Sequence, residues 1–401
     1  MACLSGMPFF CRNQLKRLKR LVNRAGFLRR ASNHGKKGVI LMQLEERDWL
    51  IALDAVKGVG WQTIHRLVQA TASLKELSEW PVEQFQSIGI RRRTAEALQR
   101  AMAGSWVLLQ KKRRASWPYR VLTIFDAHYP EILRQIHQPP WVLYALGKLD
   151  LLQGPAISMV GTRTPTSYGR MVAYKLAREL AEHGWVVVSG LARGIDSEAH
   201  KGALQSQGGT IAVLGCGIDQ IYPPENKWLY EEIAQKGLVL SEYPPGTPVH
   251  AGLFPQRNRL ISGLSLGTVV VEAASRSGAL ITADFALEQS REVFAVPGPI
   301  YNVQSSGTNQ LIKEGAKMVT GVHDILEEYA FAGKPSSASH AVRLTAEENR
   351  LLSHIGYAGV HIDELKKITG QEWATLYPML MQLQMKKVIR QLPGSYYIRC
   401  D

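Results

Sequence analysis

The stretch Val160–Arg170, VGTRTPTSYGR, decides how the chain is read. It closes the apolar run AISMV, turns through glycine and proline, and starts a helix at Thr166 or Ser167. A helix that starts straight after a buried strand turns backbone N–H groups and a partial positive charge toward a bound anion. The turn is neither GxxxxGK(S/T) nor GxGxxG, and it carries Arg163 where those nucleotide loops carry glycine or lysine. Which anion it holds is a question that the loop alone leaves open.

Working outward, the same apolar character recurs. VLTIF (121–125) and WVLYALG (141–147) come before it; WVVVSG (185–190), TIAVLG (210–215), LVLSE (238–242), GTVVVEA (267–273) and EVFAVPG (292–298) come after. Helical stretches such as MVAYKLARELAEHG and LITADFALEQSR stand between them. Continuous β-branched runs of this kind belong to strands covered on both faces. The pattern predicts an α/β class domain over 113–330, with a doubly wound, mostly parallel sheet. Ligands of such sheets sit at the carboxyl ends of the strands, where the loops here carry glycine with polar or basic residues.

The flanks differ. Residues 42–112 read as short helices, and VKGVGWQTIHRLV (56–68) and QSIGIRRRTAEAL (86–98) share one form, a glycine turn entering an amphipathic helix. This resembles the helix-hairpin-helix of small SAM-like domains, whose turn amides grip a DNA phosphate. The alternative is a compact bundle that uses glycine to bring helices close; Arg91, Arg92 and Arg93 favour DNA. A linker over 331–343, AGKPSSASHA at its centre, leads to 344–401. There, three helical stretches and two strands around Pro393 and Gly394 predict a winged helix. Its last helix carries Glu372, Leu376, Met379 and Met381 with few basic residues, which suits packing or protein contact better than duplex DNA.

At 401 residues and 45% apolar content the chain can bury a large core. No apolar run reaches the eighteen or so residues of a membrane span, and the first ten residues do not read as a signal peptide, so a cytoplasmic protein is expected. Cys3, Cys11, Cys216 and Cys400 lack CxxC spacing, which predicts reduced thiols, no zinc site and no cofactor. Ten of the formal +14 charges lie in residues 1–41, which contain no acid, leaving +4 for the rest. That basic extension is either a disordered arm on nucleic acid or a segment upstream of a true start at Met42.

Five loops in order carry a family resemblance: VGTRTPTSYG, SGLARGIDSEAHKGAL (189–204), LGCGIDQIYPPEN (214–226), FPQRNRLISGLS (254–265) and ASRSGALITADFA (274–286). Together they resemble the DNA-processing protein A family, DprA or Smf, over about 44–400. The resemblance implies a Rossmann-like domain that binds single-stranded DNA during natural transformation. It further implies self-association as a homodimer, loading of the RecA recombinase onto the strand, and no catalysis. It places Gly161, Thr162 and Arg163, with Phe254, Arg257, Asn258 and Arg259, in the DNA pocket. Independently of the resemblance, Arg163, Arg193, Arg257 and Arg259 fall in predicted strand-end loops, and guanidinium forks match phosphate oxygens. Phe254 is placed to stack a base and Asn258 to bond a phosphate or a base edge. Ser275, Arg276, Ser277 and Gly278 precede a helix whose start makes a second anion nest.

Structural alternatives accompany these assignments. Arg257 or Arg259 could pair with Glu272 or Glu242, and Phe254 could be a core aromatic. Asp196 and His200, four apart, resemble half of an acid–base pair; without a nucleophile they read as an N-cap aspartate and a surface or core histidine. Cys216 reads as a small hydrophobe. Two rival classes are a nucleotide-hydrolysing enzyme on a related fold, which would need a PGGxGT loop where this chain has SRSGALITA, and a structural DNA-packaging protein, which would not need the strand-end arginines.

Overall fold

The computed structural model describes residues 44–329, 345–355, 360–386, 388–392 and 395–399. The basic extension, the linker and the turn at Pro393 and Gly394 lie outside them. The described chain forms two compact units, the first up to residue 329 and the second from residue 345.

The first unit opens with five helices: α1 (Glu46–Asp54), α2 (Trp61–Ala70), α3 (Val82–Ser87), α4 (Arg92–Ala101) and α5 (Gly104–Arg114). Both glycine turns adopt the left-handed backbone that only glycine takes without strain, Gly58 at φ +86° before α2 and Gly89 at φ +82° before α4. Arg66 of α2 donates to the Gly89 carbonyl at 3.0 Å and ties that helix to the second turn. Asp48, buried in α1, accepts from Lys111 and Arg114 of α5 at 2.9 and 2.5 Å, which fixes the first helix on the last.

Nine strands follow: β1 (Arg120–Thr123), β2 (Val142–Gly147), β3 (Ala156–Val160), β4 (Val186–Ser189), β5 (Thr210–Leu214), β6 (Leu238–Ser241), β7 (Gly267–Val270), β8 (Glu292–Ala295) and β9 (Lys317–Met318). They line up as β1-β2-β6-β5-β4-β3-β7-β8-β9. The seven from β6 to β9 run parallel; β1 and β2, which read as two more buried strands of the same kind, pair antiparallel at one edge. Helices α6 (Glu131–Arg134), α7 (Ser167–Glu182), α8 (Ile195–Ala203), α9 (Lys227–Lys236), α10 (Leu253–Gly263), α11 (Gly278–Glu288), α12 (Ser306–Lys313) and α13 (Val322–Tyr329) connect them.

The two-residue period of a strand sorts the core into two layers. Ala156 and Val160 of β3 join Val186, Val188 and Val270 under α9, α10 and α11, whereas Ile157 and Met159 join Val187 and Val269 under α7, α8 and α13. The first layer also takes in Trp49, Leu53, Leu67 and Leu98. The helical segment and the sheet thus share one core across residue 112, where composition suggests a boundary.

The second unit holds α14 (Ala346–Leu352), α15 (Ile362–Thr369) and α16 (Trp373–Met385), with a small antiparallel sheet β10 (Val360–His361), β12 (Tyr396–Arg399) and β11 (Ile389–Leu392) in that order. This is the winged helix. Thr345 and Glu348 close a capping box at the start of α14, and Lys386 reaches Glu348 at 2.6 Å. Leu376 and Met379 of α16 are buried in its core, while Met381 is exposed.

Candidate nucleic-acid interface

The chain winds from β3 out to β6, then returns to β7 beside β3 and winds the other way. At that reversal the loops after two neighbouring strands diverge and leave a crevice at their carboxyl ends. A cleft of about 600 Å³ lies there, lined by the β3 loop, α10 and the start of α11. It gathers Gly161, Thr162, Arg163, Phe254, Arg257, Asn258, Ser277 and Gly278.

Arg163 is exposed at its mouth, with its guanidinium 5.9 Å from the Phe254 ring centre. Phe254 is half-buried, tilted against Tyr222 at 5.4 Å, and rests on Gly215, where a Cβ would stand 2.7 Å from the ring. It is a wall rather than a free stacking platform. Tyr222, 37% exposed on the same cleft, supplies the accessible aromatic edge. Nothing in its loop IDQIYPPEN separates it from a turn tyrosine, so its role is not legible without the fold. Ser277 is the N-cap of α11, its hydroxyl accepting from the Ala279 amide at 3.3 Å, and the helix start faces the cleft. Asn258 links the two helices, donating to the Gly278 carbonyl at 3.4 Å.

Arg257 differs from its expected role. FPQRNR is not a strand-end loop; it is the first two turns of α10, with Pro255 in the first turn, where its missing N–H costs nothing. Arg257 is 4% exposed and donates to the carbonyls of Gly190 and Val213 at the ends of β4 and β5. Gly190 is required there, because any Cβ would run into the guanidinium. Burial pulls this guanidinium below its ordinary pKa, with Asp196 opposing; burial likewise lifts Asp196, with Arg257 opposing. The pair forms the floor of the cleft, and Arg257 clamps α10 to the sheet.

Arg259 leaves the site altogether. Two residues along a helix rotate a side chain by roughly 200°, so Arg259 points to the other side of α10, where it pairs with Glu242 in a different cavity. The Arg259–Glu242 pairing is the structural alternative that the sequence offered. Arg193 does not line the cleft; it pairs with Glu225 at 2.5 Å, both side chains well exposed. Ser275 and Arg276 are exposed and also lie outside the lining, the Ser275 amide bonding Ser306 Oγ at 3.1 Å.

The start of α7 answers the question raised by VGTRTPTSYGR differently than expected. Its anion is internal. Glu272, buried at the end of β7, accepts from the Thr166 amide at 2.9 Å and the Thr166 hydroxyl at 2.6 Å. Gly169, one turn in, presses directly on that carboxylate. Ser167 and Tyr168 face a separate hollow beside Pro297–Pro299. The β3 loop therefore contributes Arg163, while the helix start open to a ligand is that of α11.

The remaining polar candidates are structural. The N-cap of α8 is Gly194, and Asp196 instead accepts from the Gly190 and Ala192 amides of the loop before it. His200 is a core histidine, bonded to the Leu191 amide and the Thr210 hydroxyl, and burial pushes it down to about 3, so it is neutral at neutral pH. Burial raises the Cys216 thiol to about 11. Among the described residues no cluster of His, Cys, Asp and Glu could hold a metal, and no helix is long and apolar enough to cross a membrane.

Known proteins resemble this chain in sequence and fold. Residues 120–330 match the family DNA recombination-mediator protein A, and residues 335–395 match the DprA winged helix domain. Protein Smf of Synechocystis sp. is 39% identical over 294 residues, covering 71% of this chain and 73% of its own. The DNA processing protein DprA of Bacillus subtilis is 47% identical over 208 residues, covering 52% and 70%. The X-ray structure of DNA processing protein A from Streptococcus pneumoniae superposes with a TM-score of 0.62 at 37% identity, covering 71% of this chain and 98% of that one. With a match over more than half the chain and a relative aligned over most of it, the chain belongs to the DNA recombination-mediator protein A family.

Proposed function

We propose that the cleft at the β3/β7 reversal binds single-stranded DNA without catalysing a reaction on it. The observation that carries the reading is the meeting, in one cleft, of the exposed Arg163, the Tyr222–Phe254 aromatic pair and the open start of α11. An arginine and a helix start suit phosphates, and an aromatic edge beside them suits bases whose faces are free. Paired bases in a duplex hide those faces, so the cleft favours single strands.

The hydrolase alternative fares worse. The acid it would use, Glu272, is spent on the start of α7, and His200 is held neutral in the core. In keeping with the family, the bound strand is a substrate for recombination during transformation, handed to RecA by a self-associated form of this protein in the cytoplasm.

Competition against a fluorescent oligonucleotide tests the reading. Unlabelled single strand displaces the probe at least tenfold more effectively than duplex of equal length, with little sequence preference. Equal competition by duplex would move the main contact to the helical or winged-helix segment. Turnover of nucleoside monophosphates in the same preparation would revive the enzyme.

A further inference from the structure

The two glycine turns of the helical segment share one sequence form and meet different surroundings. At the first, Trp61 donates its indole N–H to the Pro139 carbonyl at 2.7 Å and stacks on Trp141 at 5.7 Å, so that turn is packed against the segment leading into β2. The second has no such cover: Gly89, Arg91, Arg92 and Arg93 are all exposed. Arg66, itself exposed, brings a further cation to it, since a Cβ added at Gly89 would stand 3.3 Å from Arg66 Nη1.

Between residues 86 and 120 stand nine Lys or Arg and one acid, Glu96, a surplus of +8 against +4 for residues 42–401 as a whole. Glu96 is taken by Arg92 at 3.0 Å, and Lys111 and Arg114 are committed to Asp48. Arg66, Arg91, Arg93 and Arg100 are exposed and make no ion pair among the described residues. Arg93 and Arg100, seven apart on α4, share its solvent face, away from the buried Ala95, Leu98 and Ala101. Folding does not ask for arginines at this end of the helix. The positive end of a helix dipole prefers acids, and the first turn of α4 has none.

We propose that the second turn and the solvent face of α4 form a separate nucleic-acid surface, which holds the phosphate backbone of duplex DNA through Arg66, Arg91, Arg93 and Arg100. The ligand follows from what the surface carries and from what it lacks. Guanidinium groups match phosphate oxygens, but the aromatic side chains leading into the turn, Trp80 and Phe85, are buried, so unpaired bases find no ring to stack on. A duplex keeps its bases inside and presents one charge per about 1.7 Å of axis, the densest array that a cationic face can meet. An acidic membrane would call for apolar side chains among the cations, whereas Glu96 and Ala97 lie between Arg93 and Arg100. Contacts to the backbone alone carry no sequence preference. The inference rests on the helical segment and does not depend on what the cleft binds.

Titration of the full chain with a fluorescent duplex over a range of salt tests this. Replacing Arg93 and Arg100 together with alanine weakens duplex binding about tenfold at low salt and lowers the slope of log affinity against log salt by about 1.8, about 0.9 for each phosphate contact. Arg93→Lys with Arg100→Lys keeps the charge and restores most of the slope. The urea midpoint of the alanine variant does not fall, because both side chains are exposed and Arg93 opposes the helix dipole. A short single strand is bound by that variant within about twofold of the parent, and Arg163→Ala leaves duplex affinity within the same limit, so failure of this surface and failure of the cleft are told apart. Duplex affinity and slope unmoved by the alanine variant would overturn the proposal. So would a loss of duplex binding matched by a lowered midpoint, which would make the arginines structural. Binding to phosphatidylglycerol vesicles that the alanine variant loses, with duplex binding intact, would assign the face to a membrane instead.

Discussion

Arg257 and Arg259 stand two residues apart on α10 and face opposite worlds. Arg257 is engaged within the protein: its Nη1 donates to two strand-end carbonyls, its Nε to Asn258, and Asp196 opposes its charge. Arg259 has an acid partner too, yet Nη1 and the facing Glu242 Oε1 remain unpaired. The same residue type, in the same motif, is in one case a completed clamp and in the other part of an incomplete polar set. The lesson is that the charge of a motif says little until the helix phase and the partners of each side chain are known. The arginine nearest the proposed strand site in space, apart from Arg163, is the one least free to touch a phosphate.

That contrast breaks first at Arg257. Replacing it with alanine leaves Asp196 as an uncompensated buried acid and two carbonyls without donors, a loss of about 3–5 kcal/mol by analogy with broken buried pairs. Urea unfolding would register it as a lower midpoint, and strand binding would fall with the loosening of α10. A midpoint within about 0.5 kcal/mol of the parent would show that the clamp is not structural.

Arg163 gives the converse result. It is exposed and makes no ion pair among the described residues, so Arg163→Ala leaves the unfolding midpoint unchanged. Single-strand affinity falls about tenfold, equal to about 1.4 kcal/mol. The slope of log affinity against log salt drops by about 0.7, the value for one phosphate contact on a single strand. An unchanged slope would remove Arg163 from the strand path, and the cleft would lose its principal cation.

How much of this was legible follows from what each signal depends on. The strands were readable because two-sided burial forces unbroken apolar runs, and the α7 start because Thr166 and Ser167 follow a turn. The winged helix was readable from its three amphipathic stretches. The helix carrying FPQRNR was hidden: proline and four polar residues imitate a loop, and only the first-turn position makes Pro255 tolerable. Glu272 reads in the sequence as a possible partner of Arg257 or Arg259, but its partner in the fold is Thr166, 106 residues away, a distance no local pattern spans. The cavity in which Arg259 meets Glu242 was invisible for the same reason, since Trp61, Trp141, Glu242 and Gln289 come together there only through packing of the helical segment on the sheet.

Arg193 offers the smallest and sharpest test of the comparison. Sequence places it beside Arg163 as a phosphate ligand, whereas the structure pairs it with Glu225 on the surface, outside the cleft lining. Exposed pairs of this kind contribute about 0–1 kcal/mol, because water screens the attraction and two long side chains must be held still. Arg193→Ala is therefore expected to shift stability by less than about 0.5 kcal/mol and single-strand affinity by less than about twofold, with the salt slope unchanged. A decrease in slope near 0.7 would mean that a phosphate displaces Glu225 on binding. The strand path would then run over the α8 loop as well as through the cleft, and the line between engaged and available arginines would have to be redrawn for the bound state.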